Sequence, residues 1–167
     1  MLRPSAPSDR PALLRLFREA FGSDASPAEW EWKYDRAPHR AVSVGAFEGA
    51  RALGYFGGLG TRFRGASGDL PGLSAVDVMT APSARALGRR TLFQELGETF
   101  FRLNGEAGAP FVLGFPNDRH RRAGERTLSY LSIEPAAQWE RPAARPGLVR
   151  GLRRRFRRIV RGAGLSP

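Results

Sequence analysis

The chain of 167 residues contains no cysteine, which excludes disulfides, thiolate metal ligands and covalent catalysis through a Cys-bound acyl group. Two histidines supply a zinc site poorly, and no metal is expected. Lysine is nearly absent: Lys33 stands alone against 26 arginines. No apolar run approaches the roughly 20 residues that cross a bilayer. The start Met1, Leu2, Arg3, Pro4 lacks the apolar stretch of a secretory signal, so a cytoplasmic protein is expected. Acidic residues are missing from one region altogether. Residues 141–167 hold nine Arg and no Asp or Glu, so nine of the eleven net positive charges lie there and the rest of the chain is nearly neutral.

What is present reads as one domain, since a chain of this length buries roughly 70% of the surface it exposes when unfolded. Leu13, Leu14, Phe17, Ala20 and Phe21 fall at helical spacing over 8–22, with Ser8 and Asp9 as caps and Gly22 as the stop. Ser26, Pro27 and Glu29 have the spacing of a capping box with proline at the first helical position, which predicts a short aromatic helix through Trp30, Trp32, Lys33 and Tyr34. From Ala41 the period becomes two, and strands are expected near 41–47, 53–63 and 73–79, with a Gly-rich turn over 65–72. The strongest helix follows, with Leu92, Phe93, Leu96, Phe100 and Leu103 on one face and Asn104 and Gly105 as its stop. A short strand over 111–115, a turn at Pro116 and Asn117, a polar helix over 118–126 and a last strand over 128–133 complete the order.

That order, together with Trp30-Glu31-Trp32-Lys33-Tyr34 before the sheet and Gly114-Phe115-Pro116-Asn117 after the fifth strand, resembles the GNAT superfamily of acyl-CoA-dependent N-acyltransferases over about residues 2–133. The resemblance implies an α/β (α+β) fold: a mixed, mostly antiparallel sheet flanked by helices. Residues 1–140 are expected to form this domain, and 141–167 an Arg-rich linker and basic C-terminal helix. No segment reads as the seventh strand that usually completes the acceptor site in the family, which leaves that site incomplete, degenerate or completed by a partner.

The functional centre of the resemblance is the run from Val78 to Arg90, in which Pro82, Arg85 and Gly88 keep the Pro-x-x-Arg-x-x-Gly spacing of the GNAT pyrophosphate loop. A helix N-terminus offers free N–H groups and partial positive charge to a diphosphate, provided no bulky side chain intervenes. Gly88 permits that approach, and Arg85, Arg89 and Arg90 supply charge-assisted contacts. Ala86 stands where many such loops have Gly, and Arg90 where they have Gly or Ala. Ala86, Leu87 and Thr91 belong to the same expected cofactor loop. The resemblance further implies that the strand through Val78, Met79 and Thr80 splays from its neighbour to receive the pantetheine arm of acetyl-CoA or another acyl-CoA. One strand N–H would then polarise the thioester carbonyl. Asn117 reads either as a pantetheine contact or as a helix cap.

Transfer to an amine needs a base. Asp77, in an otherwise apolar strand, reads as that base or as a hydrogen-bonded structural carboxylate. The acid Tyr of many relatives would fall seven residues after Asn117, at Gly124; Tyr130 is the nearest substitute, or else a packed aromatic. His120 reads as a solvated helix residue. Trp30, Trp32 and Tyr34 read as core or interface before acceptor site. The leading function is therefore transfer of an acetyl or larger acyl group from CoA to a primary amine of an unidentified acceptor, such as an amino sugar. A non-catalytic acyl-CoA-binding or scaffold domain and a nucleic-acid-binding protein stand as alternatives. In the basic segment Leu148, Leu152, Phe156, Ile159 and Val160 recur at helical spacing among seven Arg, the form of a helix that lies on an anionic membrane surface, docks on a protein partner or packs on the domain. Peripheral attachment to the inner membrane surface follows from the first of these.

Overall fold

The first helix forms where its apolar spacing places it. In the computed structural model, which describes residues 1–66, 68–84 and 91–133, β1 is Leu2–Pro4 and α1 is Arg10–Phe21, ending at Gly22 with φ 71°. Glycine adopts that left-handed conformation without a Cβ penalty. Asp9 does not cap α1 through its side chain; its carboxylate accepts the Ala6 N–H at 2.8 Å and pairs through both oxygens with Arg3. The capping box is present: Ser26 Oγ accepts the Glu29 N–H, and the Glu29 carboxylate accepts the Ser26 N–H. It starts α2, Pro27–Trp30, which widens into a π turn over Glu31–Asp35 closed by the Arg36 N–H on the Glu31 carbonyl.

The sheet has the order β1-β2-β3-β4-β5. β2 (Ala41–Glu48), β3 (Arg51–Gly65) and β4 (Gly68–Thr80) run antiparallel, and β5 (Val112–Leu113) lies parallel to β4. The mixed, mostly antiparallel sheet is the expected one, but residues 65–72 are not a wide turn. Gly65 pairs with Gly68 and Thr61 with Gly72, because the strands close where Phe63 and Phe111 cover Gly72, so tightly that a Cβ there would meet each ring at 2.9 Å.

Neighbouring residues of one strand point to opposite faces, and Tyr55 and Phe56 show the two cores that result. Tyr55 packs with Leu13, Leu16, Trp30, Phe47 and Met79 under α1 and α2. Phe56 packs with Val44, Leu73, Leu96 and Phe100 under α3, Leu92–Glu106. Gly58 lets α3 lie close, since a Cβ there would sit 2.6 Å from the Phe100 ring. Asn104 and Gly105 do not stop α3. The Asn104 side chain is buried and donates to the Phe100 carbonyl at 2.7 Å, and the helix continues to Glu106.

The expected last strand over 128–133 is absent. After α4, Asp118–Thr127, the Gly124 carbonyl accepts the N–H groups of both Leu128 and Tyr130, and Ser129 takes φ 55°. The chain therefore folds back, with Leu128 against Gly97 and Tyr130 against Gly124, while Leu131 and Ile133 stand 91% and 80% exposed. No helix among the described residues is long and apolar enough to cross a membrane. The compact unit Met1–Ile133 holds every described element; the expected boundary at 140 and the basic helix lie outside the described residues.

Candidate active site

β4 and β5 pair only through Leu73 with Val112 and Ser74 with Leu113. Gly114 still lies close to Ala75, since a Cβ on it would meet the Ala75 Cβ at 3.3 Å. Beyond that point β4 continues to Thr80 with no strand partner on its β5 side among the described residues. Among the described residues, the edge of residues 75–80 on that side therefore carries no strand; it includes Val78, Met79 and Thr80. On the other side, the pairing with β3 slips: Tyr55 opposes Met79, whereas Gly57 opposes Val76. The extra residue is a bulge, and Asp77 sits in it with φ 50°, a conformation that Asp tolerates better than most residues. Met79 is buried under α1, Val78 packs against the α3 core, and Thr80 pairs with Gly54.

The bulge aims Asp77 at α2 and its π turn. Asp77 Oδ2 accepts from Lys33 Nζ at 2.6 Å and from the Tyr34 hydroxyl at 2.6 Å. Only 14% of the Asp77 side chain is exposed, against 29% for Lys33. Gly57 provides the space for this contact, because a Cβ there would lie 2.8 Å from the Tyr34 hydroxyl. Tyr34 borders a cavity of about 120 Å³ that is also lined by Tyr55, Ser43, Ser5 and Arg10, with the Ser5 and Ser43 hydroxyls hydrogen-bonded to each other. Burial pushes both phenols far above their ordinary range, with Asp77 adding to it, so they remain hydroxyl donors.

A second cavity, about 220 Å³, lies beside Asp77 and is lined by Phe17, Trp30, Lys33, Asp24, Glu29 and Asp77 among others. It brings three carboxylates together with one ammonium, in a chain of net charge +11. Hydrogen bonds from Ser26 hold Glu29 below the usual carboxylate range.

The remaining candidates lie elsewhere. Tyr130 packs against Phe101 and His120, with its hydroxyl 3.3 Å from His120 Nε2, and no contact joins it to Asp77. Its ring occupies the space over Gly124, where an added Cβ would meet it at 2.2 Å. Burial raises the Tyr130 hydroxyl above its ordinary value and lowers His120. His120 is half-buried against Phe93 rather than solvated. Asn117 Oδ1 accepts the His120 N–H and caps α4, and Thr91 Oγ1 accepts the Gln94 N–H and caps α3. Trp30 is core, whereas Trp32 is 72% exposed. Arg85, Ala86, Leu87, Gly88, Arg89 and Arg90 lie outside the described residues.

The pairing of Lys33 and Tyr34 with Asp77 was not read from the sequence. A signal for it existed, a lone lysine followed by tyrosine in a chain whose other basic side chains are almost all Arg. Nothing in the spacing located the bulge that joins them.

The family model described as an acetyltransferase (GNAT) domain matches residues 1–123. No curated protein matches the chain. An acetyltransferase of Trypanosoma brucei is 19% identical, with 84% of this chain and 98% of that chain covered at a TM-score of 0.66. Glucosamine-6-phosphate N-acetyltransferase of Arabidopsis thaliana is 13% identical, covering 84% and 98% at 0.63. AAC(6')-Iy, in complex with the bisubstrate analogue CoA-S-monomethyl-acetylneamine, is 14% identical, covering 86% and 98% at 0.66. At these identities the likeness to the three structures is one of fold.

Proposed function

We propose, from the premise that the chain belongs to the GNAT acetyltransferase family, that it moves an acetyl or other acyl group from CoA directly to a primary amine of a small molecule. The observation that carries this reading is the edge of β4 over residues 75–80, which has no strand partner on its β5 side among the described residues, beside a bulge bearing Asp77. An extended pantetheine arm fits such an edge as an added strand, hydrogen-bonding free backbone groups. When bound, the CoA thioester supplies the activated acyl carbon, and the chain supplies the rest.

In this reading Asp77 accepts a proton from the incoming ammonium, and the outward N–H groups of β4 stabilise the negative charge that develops on the carbonyl oxygen. Tyr130, kept protonated by burial, donates to the departing sulfur. Arg85, Gly88, Arg89 and Arg90 hold the phosphates, with Ala86, Leu87 and Thr91 shaping the loop and Asn117 reaching the pantetheine arm. Gly88→Glu then abolishes CoA binding and leaves the domain folded. The carboxylates of the cavity beside Asp77 favour a cationic acceptor, and an amino sugar is one such molecule. The glucosamine-6-phosphate N-acetyltransferase and AAC(6')-Iy structures share the fold.

The test is release of CoA thiol, read with a thiol-reactive chromogen, which has no protein background because the chain lacks cysteine. Acetyl-CoA with a panel of amino sugars, aminoglycosides and simple amines is expected to release thiol over many turnovers only when an amine is present. Binding of acetyl-CoA without release for any amine supports the second reading, a non-catalytic acyl-CoA-binding domain. One observation favours that reading: Lys33 and Tyr34 already occupy Asp77 Oδ2, as for a structural carboxylate. For the basic segment, attachment to an anionic membrane surface is the reading we adopt. Removing residues 145–167 is expected to leave CoA binding intact and to weaken binding to anionic vesicles.

A further inference from the structure

We infer that Lys33 is itself an acyl acceptor, so that the chain acylates its own only lysine. The inference rests on the acyltransfer reading above and adds a modification site to it. Arginine stays protonated in proteins and does not serve as an amine nucleophile, so the other basic side chains of this arginine-rich chain are unsuited to the reaction. Lys33 carries the one side-chain amine in 167 residues, and the fold places it 2.6 Å from the carboxylate that reads as the base. Both groups line the same cavity. That cavity adjoins the bulge in the part of β4 that has no strand partner on its β5 side among the described residues. The Lys33 side chain is 29% exposed, so the amine is not sealed from a molecule that enters the cavity.

The amine shares its cavity with the Asp77, Glu29 and Asp24 carboxylates, and the Tyr34 ring centroid lies 5.7 Å from Nζ. Asp77 takes one proton from the Lys33 ammonium across their hydrogen bond. The freed lone pair attacks the thioester carbon; the C–N bond forms, and the C–S bond breaks with its electron pair on sulfur. The second proton lost from nitrogen goes to the CoA thiolate, and Asp77 returns the first to solvent. The products are an acylated Lys33 and CoA thiol. The amide is neutral, so its formation removes the ion pair with Asp77 and fills part of the cavity. The reaction stops at one acyl group per chain and closes the acceptor cavity.

A single lysine makes the test direct. The full chain is incubated with acetyl-CoA alone, and its intact mass is followed while a thermal melt reports acetyl-CoA binding. The expected result is a gain of one acetyl mass, mapped by peptide sequencing to Lys33 and not to the Met1 amine, which is tied to the Phe47 carbonyl at 2.6 Å. Lys33→Arg is expected to gain none, and Asp77→Asn to gain it at least about 10²-fold more slowly, both checked for folding by the same melt. The acetylated chain is expected to release no thiol with added amines. If acetyl-CoA raises the melting temperature and Lys33 stays unmodified, the inference fails and the acyltransfer reading stands. Acetylation at the same rate in the urea-unfolded chain marks adventitious chemistry and also overturns it. No rise in melting temperature overturns both together.

Discussion

The two faces of the sheet are built from different chemistry. Under α3, Phe56 stacks on Phe100 with centroids 4.5 Å apart, and Phe93, Phe101, Leu96 and Val44 surround the pair. Asn104 is the one buried polar side chain among the described residues, and it is satisfied by the Phe100 carbonyl. Under α1 and α2 the aromatics carry polar ends: the Tyr34 hydroxyl donates to Asp77, the Tyr55 hydroxyl belongs to the same layer, and both described cavities border it. An apolar face without polar ends has stability as its main product. A face holding a left-handed Asp77, an ion pair and unfilled volume gives up packing, a departure that commonly marks functional sites.

The contrast is broken most sharply at Asp77. Asp77→Asn is expected to lower kcat/KM by about 10²–10⁴-fold, the scale of general acid–base catalysis, with acetyl-CoA affinity nearly unchanged. Loss of stability with normal activity in the folded fraction would instead make Asp77 structural. On the opposite face, Phe100→Ala removes a fully buried ring and is expected to cost about 3–5 kcal/mol in a denaturant melt, while folded molecules keep their activity. Gly57→Ala pushes a Cβ into the Tyr34 hydroxyl and the Tyr55 ring; a cost of about 1–3 kcal/mol is expected, together with slower turnover because Tyr34 leaves Asp77.

The smallest effect is in pH dependence, and it belongs to the α3 side. Burial lowers the pKa of His120 below its ordinary 6.5, so in the window beneath 6.5 the unfolded chain binds more protons than the folded one. Stability from this group is complete above 6.5 and is lost as pH falls toward the depressed value. A thermal melt series from pH 7.5 downward is expected to slope in that sense, and His120→Gln to flatten the slope. Asp9, held low mainly by Arg3, acts in a separate window: its contribution is present above 3.8 and is lost in stronger acid.

Regular elements were legible in the sequence because their signals are local. The helical spacing around Leu13 and Phe17, the Ser26–Glu29 capping box and the apolar face of α3 each lie within one element and appear as read. Long-range geometry was not. Gly72 reads as a turn residue until Phe63 and Phe111 are seen to close over it. Residues 128–133 are rich enough in apolar side chains to read as a strand, yet the Gly124 carbonyl accepts two backbone N–H groups from beyond the helix and turns the chain back. The same holds at the site. Asp77 was singled out as a polar residue in an apolar strand, but its meeting with Lys33 and Tyr34 depends on a bulge at Asp77 that arises from the pairing of β4 with β3. Tyr130 was named for its nearness in sequence to Gly124, and the structure sets its ring directly over that glycine.

The measurement that tests the central claim most directly is a thermal-stability titration of the full chain with acetyl-CoA and longer acyl-CoAs. The account predicts saturable stabilisation, about 2.7 kcal/mol when the ligand reaches about 100 times its Kd, lost in Gly88→Glu and retained in Asp77→Asn. No shift at millimolar ligand with any acyl-CoA would contradict it.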